Sequence, residues 1–174
     1  MDVLARVERL LTLERTALEW AQAPFLLVVR LYWGWSFATN GWGKLHNIDQ
    51  IAKWFGEDLH IPAPLANAYA ASTTEFLGGI LLFIGLGGRV STIPLVATMC
   101  VAYLTADFGG LQGLYLSADA CKLSETCQPF EDAAPFSFLM ASLIVLLFGA
   151  GPLSVDGLIG WWWAKRTAET RAAG

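Results

Sequence analysis

The sequence predicts an all-α integral membrane protein, a four-helix bundle preceded by an amphipathic N-terminal helix. Three observations carry this reading. Four long apolar runs, roughly residues 25–45, 66–86, 90–104 and 136–153, divide the chain, and about 20 apolar residues are what a helix needs to cross the hydrocarbon core of a bilayer. Of 174 residues, 55% are hydrophobic and 15% charged, with a mean hydropathy of +0.49; a soluble domain carries about 25% charged residues. Finally, two runs hold ionisable side chains: Arg30 and Lys44, with Asn40, in the first, and Glu75 in the second. Such groups are expensive in hydrocarbon and therefore turn toward the bundle interior.

Taken in order, residues 1–23 form the amphipathic segment. Leu4, Val7, Leu10, Leu11 and Leu18 recur at helical spacing, which fits a helix lying on the cytoplasmic leaflet or docking a partner. Its charges (Arg6, Glu8, Arg9, Glu14, Arg15, Glu19) leave no apolar core for a cleavable signal peptide. Residues 24–157 are the four-span membrane domain, with Pro24 suited to the first turn of span one. On that span Arg30, Gly34, Phe37, Gly41 and Lys44 follow one another by 4, 3, 4 and 3 residues and share a face. Span two answers with Ser72, Glu75, Gly79, Leu82, Leu86 and Arg89. Glycines on both stripes permit close helix approach. Span three presents Cys100, Tyr103 and Asp107 on one face, with Pro94 as an expected kink. Span four is uncharged and expected to meet lipid. Residues 158–174 form a cytoplasmic tail in which Trp161, Trp162 and Trp163, followed by Lys165 and Arg166, suit a membrane interface.

Orientation follows from the cations. Arg6, Arg9, Arg15, Arg89, Lys165, Arg166 and Arg171 fall on one side, and Lys44, Lys53 and Lys122 on the other. The excess marks the cytoplasmic side, so both termini are predicted there and the protein is a multi-pass protein of the inner membrane. The net charge of −4 and the lack of a basic cluster argue against a nucleic-acid partner.

Depth along the helices sharpens the candidate site. With a rise of about 1.5 Å per residue, Glu75 lies roughly 13 Å below the outer edge and Arg30 about 7 Å from the inner edge. They are poorly placed to pair. A buried carboxylate without a tight cation partner tends to hold its proton, so Glu75 is the candidate for proton or quinone chemistry. The competing reading is a packing hydrogen bond to Asn40 or Ser72. Asn40, Lys44, Trp42, Ser72, Tyr103 and Asp107 are the candidate pocket around Glu75. Arg30, Arg89 and Asp156 are expected to form a structural ion pair at the cytoplasmic face, with snorkelling to lipid phosphate as the other outlet for the arginines.

The spans carry a further signal. The stretch from Arg30 through Gly34, Phe37 and Gly41 to Lys44 resembles the first-span signature of the DoxX family, and Glu75-Phe-Leu-Gly78-Gly79 through Gly85 resembles its second. Gly151-Pro-Leu-Ser154-Val-Asp156 is similar to the Ser-x-Asp ending after the last span. The resemblance covers about residues 25–157. It implies a small four-helix bacterial membrane protein in the company of thiosulfate:quinone oxidation, thiol and oxidative-stress complexes, or operons for modified metal-binding peptides. It implies no single reaction.

Cys121 and Cys127 lie in the second outer loop, on the side expected to be oxidising, where a structural disulfide is the first reading. A redox-active pair, or metal binding with His46 or His60, remain alternatives; the spacing is not Cys-x-x-Cys. Cys100 reads as a small core residue. Two classes of function follow. One is an accessory subunit of a quinone- or thiol-linked redox system, with a quinone as the cofactor implied, no metal, and a redox partner protein or second copy of the chain beside it in the bilayer. The other is a non-enzymatic scaffold or small transporter that holds a partner protein.

Overall fold

The computed structural model describes residues 2–124 and 126–172, with side chains at all of these except 2–6, 8–19, 118, 122 and 172. The apolar stripe expected of residues 2–22 therefore falls, but for Val7, outside the described side chains, as does Glu125. Among the described residues the chain is all-α. The elements are α1 (Asp2–His46), α2 (Ile48–Glu57), α3 (Pro64–Ile84), α4 (Gly88–Thr105), α5 (Phe108–Tyr115), α6 (Ala118–Lys122), a single 3₁₀ turn (Phe130–Asp132), α7 (Pro135–Phe148) and α8 (Val155–Ala172).

Helix α1 runs unbroken for 45 residues with Pro24 inside it, so Pro24 does not begin a helix as expected. Proline deprives the carbonyl four residues earlier of its donor. That carbonyl belongs to Trp20, whose residue is 78% exposed, so it is not sealed away from other donors.

Helices α1, α3, α4 and α7 pack in sequence, α1 on α3, α3 on α4, α4 on α7 and α7 back on α1. The α1–α3 contact is the most intimate, and the reason is the paired small residues. A Cβ built on Gly41 would overlap the backbone of Phe76 and Ser72, and one on Gly79 would overlap Ala38 and Phe37. The core of Phe37, Leu82, Leu95, Met99, Tyr103, Leu139 and Val145 lies between the four helices.

Two expectations for the last span fail. Helix α7 ends at Phe148 and not near residue 153, because Gly149 takes φ +81° and ψ −177°, an extended positive-φ conformation open to glycine, and Gly151 follows at φ +77°. Its surface is also less free than expected: within α7 only Leu147 and Phe148 are exposed, since α4 and α1 cover most of it. Cys100, expected in the core, is exposed instead, because the α4 face that meets α7 runs through Leu95, Met99 and Tyr103.

Candidate functional site

The sequence reading placed Glu75 near Asn40, Lys44 or Tyr103 but gave it no tight cation partner. The structure gives it one. Lys44 Nζ donates to both carboxylate oxygens of Glu75, at 2.6 and 2.7 Å. Lys44 lies in the last turn of α1 and Glu75 at mid-α3, and the glycine-lined contact between those helices brings their side chains together. The Glu75 side chain is 5% exposed and that of Lys44 38%, so the carboxylate is inside and the ammonium reaches outward. The expectation that Glu75 lacks a tight partner is thereby corrected. Depth along the helix axes excluded Arg30 correctly, but it could not show that the Lys44 ammonium reaches both oxygens of Glu75.

The pair forms part of the wall of a cavity of about 550 Å³. Helix α2 and the turn after it cover it with Trp54, Phe55, Leu59 and Ile61, while α3 supplies Asn67, Ala70, Ala71 and Thr74. Helix α4 contributes Ala97, Thr98, Val101, Ala102 and Thr105, and Phe37, Met99 and Phe138 close the bottom. The lining is mostly apolar with a few placed polar groups, the usual character of a small-molecule site. A lysine ammonium has three N–H donors. Two are spent on Glu75, which leaves one for a ligand.

Of the pocket residues named from sequence, Asn40, Lys44 and Asp107 line this cavity with Glu75. Trp42, Ser72 and Tyr103 do not. Trp42 is exposed on another face of α1, against His46 and Phe76 with ring centroids 4.3 and 5.2 Å away. Ser72 is fully buried at the α1–α3 crossing, its hydroxyl without a partner. Tyr103 turns away toward the 3₁₀ turn, donating its hydroxyl to the Phe130 carbonyl at 2.8 Å and stacking on that ring at 4.5 Å. Asp107 is held from the second outer loop, where Gln128 Nε2 donates to it at 3.4 Å. The residues that sequence reasoning missed are those of α2, above all Trp54. The helical spacing of Ile48, Ile51, Trp54 and Phe55 was the available signal for an amphipathic cover, and it fitted equally a segment lying flat on the membrane.

At the other end the expected ion pair among Arg30, Arg89 and Asp156 is not formed. Among the described residues the ion pairs are Lys44–Glu75 and Lys53–Glu57. Asp156 instead accepts from the backbone N–H of Gly87 at 2.9 Å and of Gly88 at 2.8 Å. It caps α4 from outside, satisfying orphan donors at the positive end of the helix. Ser154, two residues earlier, caps α8 in the same way by accepting from Gly157 N at 3.0 Å. Arg30 is 1% exposed, which excludes snorkelling. Its Nη2 donates to the Leu153 carbonyl, and Nη1 lies against Gly85 at the C-terminus of α3. Helix C-termini favour cations. Arg89 likewise reaches the carbonyl of Leu147 near the end of α7, at 3.3 Å.

Cys121 and Cys127 are joined by a disulfide, with Cα atoms 5.3 Å apart. His46 and His60 are turned to the carbonyls of Trp42 and Asp58. Among the described residues no three His, Cys, Asp or Glu side chains gather as a metal site.

Fold and site together define an all-α protein with the Lys44–Glu75 pair in the wall of a cavity and backbone caps from Ser154 and Asp156 at the other end of the helices. The DoxX family model matches residues 25–107, a stretch that takes in both glycine stripes, the Lys44–Glu75 pair and Asp107, and stops before the Ser154–Asp156 caps. The chain is also similar to the "Putative oxidoreductase CatD" of Bacillus subtilis strain 168, at 24% identity over 76% of this chain and 85% of that one. It is similar as well to the uncharacterized membrane protein Rv3486 of Mycobacterium tuberculosis, at 26% identity over 76% of this chain and 80% of the relative. No solved structure matches it significantly.

Proposed function

We propose that this chain is a four-helix bundle of the bacterial inner membrane that serves as an accessory subunit of a redox system and receives a quinone head group in the cavity at Lys44–Glu75. The observation that carries the site is the buried, charge-neutral pair set into an apolar wall. Its free N–H can donate to a carbonyl oxygen, and the apolar remainder suits a ring and its tail. The two relatives point the same way, one by its name as an oxidoreductase and the other as a membrane protein.

The membrane reading rests on an inverted distribution of polarity. Arg30, Glu75, Ser72, Ser91, Thr92 and Ser142 are buried, whereas Val28, Trp35, Leu77, Ile80, Val90, Ile93, Val101 and Leu104 are exposed. A surface of that kind on adjoining helices marks contact with lipid or protein. By length and composition α4 qualifies as a span, and α7 is apolar but shorter. Both termini then lie in the cytoplasm; a reporter fused after Gly174 that works only in the periplasm would overturn that orientation.

The test of function is direct. Protein purified from membranes should yield quinone on solvent extraction and bind added decylubiquinone saturably. Glu75→Gln should fold and weaken that binding at least tenfold, because the ammonium is then no longer fixed by two carboxylate oxygens. Unchanged quinone affinity in this variant, or no saturable binding to the parent, defeats the reading. One observation favours the scaffold alternative: α8 exposes Leu158, Ile159 and three successive tryptophans and packs extensively on no other element. Co-purification of a partner protein that is lost when residues 158–174 are deleted, with no quinone present, would establish it.

A further inference from the structure

A second concavity lies on the other side of Lys44. It is a groove of about 680 Å³ between the end of α1 and α2. It is more polar than the inner cavity, with Thr39, Asn47, Gln50, Lys53, Glu57 and Asp58 among its lining residues. Asn40, Lys44 and Trp54 line both spaces. A polar groove and an apolar cavity therefore share one wall, and that wall carries the free ammonium N–H.

We infer that the two spaces form one site for an uncharged amphiphile, whose hydrogen-bonding head lies in the groove and whose apolar body passes Trp54 into the cavity. The inference rests on the same cavity as the proposed function but adds the class of head group. Charge rules out an anionic head. Two cations and four carboxylates line the two spaces, and Lys44 and Lys53 are each already paired to an acid. Among the described residues Asp58 in the groove and Asp107 in the cavity are left without a cation, so an anionic head entering the joined spaces suffers repulsion from two unneutralised carboxylates. An uncharged polyol or amide head does not, and the amides of Asn40 and Gln50 with the spare Lys44 donor offer it both donors and acceptors. Groove and cavity each fall in the size range of small-molecule sites.

The experiment uses three probes with one acyl chain: monoolein, oleate and oleylamine, each tritiated and measured by equilibrium binding to the protein in amphipol, free of detergent. Monoolein should saturate at one per chain, and oleate should bind at least tenfold more weakly. Gly43→Trp fills the groove; a Cβ at that position meets nothing within 4 Å, so the helix can accept it. It should raise the Kd for monoolein at least tenfold and leave decylubiquinone binding as it was, whereas Ala97→Phe, in the cavity wall, should weaken both. Gly43→Ala, which leaves the groove open, should bind monoolein as the parent does. Oleate binding as tight as monoolein, or monoolein binding that Gly43→Trp leaves unchanged, overturns the inference even if quinone binds. Selective monoolein binding without quinone binding overturns the proposed function and leaves this inference standing.

Discussion

Lys44 and Arg30 occupy the same stripe of the same helix, fourteen positions apart in the sequence, and the protein treats them differently. Lys44 has a carboxylate at 2.6 and 2.7 Å, keeps 38% of its side chain exposed and stands beside open space. Arg30 forms no ion pair among the described residues, is 1% exposed, and leaves Nε and Nη1 without hydrogen-bond partners there while Nη2 holds the Leu153 carbonyl. A cation in an apolar run can therefore mean a site or a brace. What separates the two is whether the surroundings complete its charge and leave room beside it. At the outer end α2 spans a gap over the pair. At the inner end Gly85, Ser154 and Leu153 close on the guanidinium.

The largest effect should come from breaking the outer pair. Lys44→Met leaves the Glu75 carboxylate buried and unpaired, which should cost about 3 kcal/mol, the low end for such a loss because Lys44 itself is partly exposed. Thermal unfolding of the purified protein measures it. Lys44→Met with Glu75→Leu should regain most of that stability, since an apolar replacement of a buried pair is often neutral, while still failing to bind quinone. A double variant as unstable as the single one would show that the pair itself holds α1 to α3.

The inner brace is tested next by Gly85→Ala. Gly85 sits at φ +71°, and its added methyl would meet Arg30 Nη1 and Ser154. The left-handed backbone alone costs about 1–2 kcal/mol, and with displacement of the guanidinium the loss should be about 2 kcal/mol. Quinone affinity should not change, because Arg30 and Gly85 are outside the cavity lining. A loss of affinity here would join the two ends of the molecule functionally.

The smallest effect is expected at Asp156. As the cap of α4 its removal in Asp156→Ala should cost about 1 kcal/mol, and Asp156→Asn should recover about half of it, because the amide keeps one accepting oxygen where the carboxylate uses two. Equal losses in both variants would mean that the negative charge near Arg30, rather than the cap, is what matters.

Much of this was legible beforehand. The helical class, the four apolar runs and the facing stripes follow from periodicity and small residues, which are local properties of the chain. The participants at the outer end, Glu75, Lys44, Asn40 and Asp107, could be named for the same reason: they are ionisable or polar groups at interior positions. The Ser154-Val-Asp156 ending could be recognised, but its job could not. Whether an acid beyond a helix pairs with an arginine or caps another helix depends on where Gly87 and Gly88 lie, sixty-nine and sixty-eight residues away in the chain.

The sequence by itself determined that this protein would be built of apolar helices with charges turned inward, because 3.6-residue periodicity and the cost of exposing a charge to hydrocarbon act residue by residue. Only the tertiary structure decided which charge meets which. A lysine side chain can reach in several directions from one backbone position, a backbone N–H can replace an arginine as the partner of an aspartate, and a cavity is the space that packing leaves between helices. None of these is a property of any one segment. The pairing of Lys44 with Glu75, the cover formed by α2, and the turning away of Tyr103 toward Phe130 were settled when distant segments came together.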